Sequence, residues 1–252
     1  MRPRARTGAT LHEGDAHQEW PIGDYAMLGD TRIAALVASD GAIDWMCIPR
    51  FDGQPVFGRL VGGPDAGTFR MGPAVTATVT TRRYRPDTAT LEITWHTPDG
   101  QLTLTEAMIA DVTGRLSPST LLVRRLAATG GAIDAVIEFD PRLGEHHVAP
   151  RCTYRNGVLV CAWSSTALAL CSTPPIVLDG RKSTTVTITP NQPLTVSLTS
   201  PTGSRSSTST LTPPTPPSRS TNRAGEPGAP TSMTTTYPIA TPWSAACSPC
   251  DC

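Results

Sequence analysis

Five aspartates, Asp24, Asp30, Asp40, Asp44 and Asp52, fall close together near the start of the chain. Carboxylates are hard oxygen donors and could gather round a divalent cation. Their spacing fits no calcium-binding loop, and the alternative is that they cap turns and flank strands. In the same stretch Trp45, Arg50, Phe51 and Asp52 set an aromatic platform beside a charged pair, the surface a sugar ring meets in a binding cleft. The competing reading makes Trp45 and Phe51 core or domain-interface residues and pairs Arg50 with Asp52. Glu145-His146-His147 invites a metal, but adjacent histidines on an extended strand point to opposite faces, which favours a solvated loop. Cys247-Ser-Pro-Cys250-Asp-Cys252 has ligand-like spacing for zinc or a redox pair, yet no second Cys or His cluster accompanies it. No metal and no cofactor is therefore expected. Cys47, Cys161 and Cys171 sit in apolar runs, where a free thiol behaves as a small buried hydrophobe. Trp95 and Trp163 occupy strand interiors and are expected to be buried.

The elements that must position these residues read as strands. From about residue 30 to 198 apolar and polar residues alternate with period two, broken at short intervals by turn chemistry. Ile33 to Val37 and Ala42 to Ile48 flank Ser39-Asp40-Gly41, whose Asp-Gly supplies the positive φ of a tight hairpin. Leu91 to Trp95 and Leu102 to Met108 repeat the scheme around Pro98-Asp99-Gly100, and Asn156-Gly157 turns into Val158 to Trp163. Ile133, Ala135, Ile137 and Phe139 alternate with Asp134, Val136 and Glu138, so one face of that strand is buried. Further strands are expected at Ala167 to Cys171, Val186 to Ile188 and Leu194 to Leu198, with a turn at Asp179-Gly180. The pattern predicts an all-β fold, a two-sheet β-sandwich of roughly ten to twelve strands.

Bulk composition narrows the function. Lys plus Arg balances Asp plus Glu, 21 against 21 in 252 residues, so no long-range field recruits nucleic acid or anionic lipid. Gly8 to Trp20 contains no apolar run of the kind a signal peptide needs, and no stretch approaches a membrane span, so a cytoplasmic protein is expected. After Leu198 the composition changes: 32 of the last 54 residues are Ser, Thr or Pro. Such a segment cannot bury a core and is expected to be disordered. The expected organisation is a flexible arm over 1–19, a sandwich over 20–198 and a tail over 199–252.

The segment Pro21-Ile22-Gly23-Asp24-Tyr25-Ala26-Met27-Leu28-Gly29-Asp30, with Ala34-Ala35-Leu36-Val37 and Ser39-Asp40-Gly41-Ala42-Ile43-Asp44-Trp45, resembles the opening of family 15 glycoside hydrolases, notably their actinobacterial trehalase branch. The likeness continues through Pro49-Arg50-Phe51-Asp52, Phe57, Gly67, Arg82-Arg83-Tyr84, Leu91 to Trp95, Thr97 to Gly100 and Leu122-Val123-Arg124-Arg125-Leu126. The resemblance implies an N-terminal sandwich of the super-sandwich type joined to an (α/α)6 barrel. It also implies inverting glycoside hydrolysis by two glutamates that lie in the barrel. Only Glu226 follows Leu198, so this chain is expected to have no activity of its own. Trp45, Arg50, Phe51 and Asp52 are expected at the rim of the barrel's pocket or at the domain interface. An orphaned apolar face would then favour self-association, and a freestanding sugar-binding module is the alternative.

The tail admits one sharper reading. Translated from third codon positions, Trp243, Cys247, Cys250 and Cys252 become Leu, Val or Met, Ser248 from a TCN codon becomes apolar too, and the set contains the i, i+4, i+7 spacing of an amphipathic helix at 243, 247 and 250. A shifted reading frame is therefore expected, against a natural Ser/Thr/Pro tail.

Overall fold

A computed structural model describes residues 10–11, 20–75, 77–109, 119–164, 166–178 and 182–201. The tail beyond 201, with its three cysteines and Glu226, lies outside the described residues, as do the Asp179-Gly180 turn and nearly all of the arm over 1–19. Sixteen strands are described: β1 Thr10–Leu11, β2 Ala26–Gly29, β3 Ala34–Val37, β4 Ala42–Ile48, β5 Gln54–Phe57, β6 Thr68–Pro73, β7 Ala77–Tyr84, β8 Leu91–Thr97, β9 Gly100–Met108, β10 Ser119–Gly130, β11 Ile133–Asp140, β12 Arg151–Arg155, β13 Val158–Ala162, β14 Ala167–Thr173, β15 Ser183–Ile188 and β16 Leu194–Pro201. A single-turn helix, α1 Arg59–Gly62, lies between β5 and β6.

The strands form two antiparallel sheets, as the alternation predicts. The larger runs β1-β7-β8-β9-β10-β16-β14-β13-β12, and the smaller runs β15-β11-β6-β4-β3-β2 with β5 paired to β4. One core lies between them. Ile133, Ala135, Ile137 and Phe139 supply it from β11, Leu102, Leu104 and Met108 from β9, and Leu194, Val196 and Leu198 from β16. The rings of Phe57, Phe69 and Phe139 pack together there, with centroids 5.2 to 6.0 Å apart.

Sixteen strands exceed the ten to twelve expected. Arg151–Arg155 escapes because all five of its residues are exposed on the outermost strand, so no buried face writes an alternation. Ala26–Gly29, Gln54–Phe57 and Thr68–Pro73 are short and rich in small or turn-forming residues, which weakens the same signal.

A buried ion pair on the larger sheet ties it to the smaller one through its arginine. Arg124 on β10 points inward beside Leu122 and Leu126, and its Nε donates to Glu106 Oε2 on β9 at 2.8 Å. Its Nη1 and Nη2 donate across the sandwich to the carbonyls of Phe69 and Gly41, each at 2.6 Å. The guanidinium also lies 4.6 Å from the Phe69 ring centroid. Both side chains of the ion pair are fully buried. Gly41 has φ +79°, and a β-carbon there would sit 2.1 Å from the Met71 carbonyl oxygen, so the turn requires glycine.

Candidate functional site

Of the residues singled out from the sequence, Trp45 lies on the outward face of the smaller sheet and Arg50, Phe51 and Asp52 in the loop that follows β4. β2, β3 and β4 send Ala26, Leu28, Ala35, Val37 and Met46 inward. The intervening residues therefore face out. Met27 pairs with Leu36 and Leu36 with Trp45, so the three form one cross-strand apolar row on that face. Met27 is 60% exposed, and Leu36 and Trp45 are half-buried. The chain then leaves β4 through Arg50-Phe51-Asp52, held against the β2–β3 connection by the Phe51 amide donating to the Arg32 carbonyl at 2.8 Å.

Arg50 and Asp52 pair through two hydrogen bonds, Nε to Oδ1 at 3.0 Å and Nη2 to Oδ2 at 3.2 Å, with both side chains more than half exposed. The alternative pairing read from the sequence is thus what the structure contains. Phe51 is 63% exposed, which places it on the surface rather than in the core. Neither Trp45 nor Phe51 belongs to the ring cluster formed by Phe57, Phe69 and Phe139.

A polar network lies beside the apolar row. A bulge between Leu36 and Val37 of β3 and the facing strand leaves Asp44 unpaired on β4. Tyr25 Oη donates to Asp44 Oδ2 at 2.9 Å and Thr68 Oγ1 to Oδ1 at 3.1 Å, while Arg59 of α1 stands 4.0 Å away. Burial pushes the Asp44 carboxyl above its ordinary range and Asp40 adds to the shift, against the pull of Arg59, Tyr25 and Thr68. Burial, then Asp44, pushes the Tyr25 phenol up as well. Across β6, Arg70 faces Glu138 of β11 and lies 3.3 Å from Asp40, too poorly aligned for a hydrogen bond from its Nε. Burial raises the Glu138 pKa, opposed by Arg70 and Arg59. Asp140 pairs with Arg142 at 3.0 Å and Lys182 at 2.7 Å.

Each of the network's carboxylates faces a cation, and Asp44 is sealed, with 3% of its side chain exposed. The arrangement fixes the face's shape and charge.

The other aspartates serve turns. Asp30 Oδ1 accepts from the amides of Arg32 and Ile33, and Asp40 Oδ1 from that of Ala42. Among the described residues no group of three or more His, Cys, Asp or Glu could hold a metal ion. Glu145-His146-His147 forms a turn between β11 and β12, with Glu145 and His146 exposed.

The motif before β3 is strapped to the larger sheet. Tyr84 Oη accepts from the Met27 amide at 2.9 Å and donates to its carbonyl at 2.8 Å. Arg82 donates to the Asp24 carbonyl and to Ser39 Oγ, and Trp95 Nε1 to the Ser39 carbonyl at 3.1 Å. Trp95 is fully buried, as expected. Trp163 departs from expectation: it lies just past β13, half-buried, with Nε1 donating to the Val148 carbonyl at 2.7 Å. There it walls an open cleft of about 840 Å³ whose other sides include Gln54, Glu145, His146 and Arg151. The strand ends at Ala162, so the alternation that would have turned Trp163 to one sheet face no longer governs it. Cys47 and Cys161 are buried as expected, whereas Cys171 is only half-buried.

Two antiparallel sheets, with an ionic network and an apolar row on one outward face, define an all-β domain. The chain belongs to the trehalase-like N-terminal domain family, whose model matches residues 13–223. It is similar to the trehalase of Mycolicibacterium smegmatis, 32% identical over 148 residues, which are 53% of this chain and 22% of that protein. It is also similar to the trehalase of Mycobacterium tuberculosis, 30% identical over 177 residues (60% and 26%), and to that of Thermoplasma volcanium, 29% identical over 119 (46% and 19%). The chain thus aligns with about a fifth to a quarter of the length of these relatives.

Proposed function

We propose that this chain is the non-catalytic N-terminal domain of a family 15 glycoside hydrolase of the trehalase type, and that it packs on an (α/α)6 barrel and helps shape its pocket. The outward Met27–Leu36–Trp45 row carries the reading. An apolar row at the sheet surface, beside a fixed polar network and with Phe51 exposed in the loop after β4, suits a permanent neighbour better than bulk water. Trp45 and Phe51 make the contact, and the Arg50–Asp52 pair holds the rim. Without that neighbour the face favours self-association.

The test replaces the aligned region of the Mycolicibacterium smegmatis trehalase by residues 13–223 of this chain. The chimera should hydrolyse trehalose, while the isolated chain should not. Trp45→Ala and Met27→Lys in the chimera should each lower kcat/KM about tenfold or more, because a displaced domain misplaces the pocket. Hydrolysis by the isolated chain, or a chimera indifferent to both substitutions, would sink the proposal.

A second reading, sugar binding by the sandwich itself, is favoured by the cleft at Trp163, whose ring is fixed and whose volume lies in the range of small-ligand sites. It expects saturable quenching of tryptophan fluorescence by trehalose that Trp163→Ala abolishes and Trp45→Ala retains. No saturable change at millimolar trehalose would remove it.

A further inference from the structure

Cys152 and Cys161 face each other directly across β12 and β13. Their sulfurs are 2.6 Å apart, and both are free thiols. The hairpin between them turns on Asn156 and Gly157, both with positive φ, the requirement of a two-residue type I′ turn. Such a turn is closed by a hydrogen-bonded pair, here Arg155 and Val158, and antiparallel pairs alternate from there. Cys152 and Cys161 therefore form a non-hydrogen-bonded pair, the narrower site at about 4.5 Å between Cα atoms, within the span a disulfide bridges. Their environments differ. Cys152 is exposed on the outermost strand, whereas Cys161 is buried in the core.

We propose that Cys152 and Cys161 form a reversible cross-strand disulfide, made by exchange with a low-molecular-weight disulfide such as oxidised glutathione. The exposed Cys152 thiolate attacks one sulfur of the small disulfide, forming a mixed disulfide and releasing one small thiol. Cys161 then gives up its proton and attacks the Cys152 sulfur, forming the protein disulfide and releasing the second small thiol. The two cysteines are oxidised, the small disulfide is reduced to two thiols, and excess small thiol reverses both steps. The order follows from access: burial and the neighbouring Cys152 raise the Cys161 pKa, so the inner thiol is the slower to ionise.

The bond would clip the fully exposed outermost strand to its neighbour. It would also act at the cleft wall, because Arg151 and Ala162, the next pair along the ladder, both line the cleft.

The full chain is incubated with oxidised or reduced glutathione, alkylated, and digested with trypsin, which releases Cys152–Arg155 from the 156–181 peptide that holds Cys161 and Cys171. Oxidation should link these two peptides and protect two thiols from alkylation. The linkage should persist in Cys171→Ala and vanish in Cys152→Ser and Cys161→Ala. The oxidised chain should melt about 5 °C above the reduced one, a shift absent from Cys152→Ser. Full alkylation of both cysteines after oxidation, glutathione retained on Cys152, or Cys152 joined to any other cysteine would overturn the assignment. Linkage without a change in melting temperature would overturn the clip.

Discussion

The molecule holds its charges in two contrasting ways. Inside, Arg124 and Glu106 are fully buried, and one guanidinium serves a carboxylate on its own sheet and two carbonyls on the other. Outside, on the smaller sheet, Asp40, Asp44, Glu138 and Asp140 face Arg59, Arg70, Arg142 and Lys182 around the partly covered sheet surface. The interior pair is sealed from water, so removing Arg124 leaves the Glu106 carboxyl with no solvent to replace its partner. The outward network shares its charges among several partners, and an exposed member such as Lys182 can be replaced by water at modest cost. Fold specification sits with the first and surface presentation with the second.

Arg124→Ala should break the contrast most visibly. It leaves Glu106 buried without its cation and takes one hydrogen bond from each of two carbonyls, so a loss of about 3–5 kcal/mol is expected, read as a fall of roughly 10 °C or more in thermal melting. Replacing both partners by apolar residues, Arg124→Met with Glu106→Leu, should recover most of that loss. Full destabilisation in the double variant would show that the carbonyl bonds, not the ion pair, hold the sheets. Next is Gly41→Ala, where positive φ and the clash with the Met71 carbonyl should cost about 2–3 kcal/mol by urea unfolding.

A smaller effect separates the regions by pH. Asp44, Glu138 and Glu106 all have pKa values raised chiefly by burial. A raised carboxyl pKa means the native state holds its proton more tightly. The associated stability is complete below the unfolded value of about 4 and is lost as pH rises through the native values. Urea midpoints should therefore decline as pH rises above about 4, and Asp44→Asn with Glu138→Gln should flatten the decline. An unchanged slope would assign it to Glu106 instead. The smallest effect is expected at Met27→Ser, within about 0.5 kcal/mol in the isolated chain, because that side chain is mostly exposed.

The fold was largely legible because alternation and Asp-Gly or Asn-Gly turns are local signals. Ala42–Ile48 is found with the predicted bounds, and the β11 alternation holds residue by residue. The interior ion pair was missed although its signature is present. Leu102, Leu104, Glu106 and Met108 share one parity, as do Leu122, Arg124 and Leu126, so opposite charges occupy apolar positions in adjacent strands. Cys152 was overlooked for the opposite reason, since its strand has no buried face, although the Asn156-Gly157 turn alone fixes its register against Cys161. The outward row was less accessible. Trp45 and Phe51 announce an aromatic surface, but joining Met27 and Leu36 to Trp45 requires the bulge that leaves Asp44 unpaired, and nothing local marks that bulge.

The strand order has a consequence for the protein while it is being made. β16, the last described strand, lies in the middle of the larger sheet, between β10 and β14. Until Leu194–Pro201 has emerged from the ribosome, the nascent sheet is two separate pieces, each with a bare inner edge able to pair with another chain. The final strand works as a keystone: a ribosome stalled just before it would hold a chain with most of its core residues and no way to join its two halves.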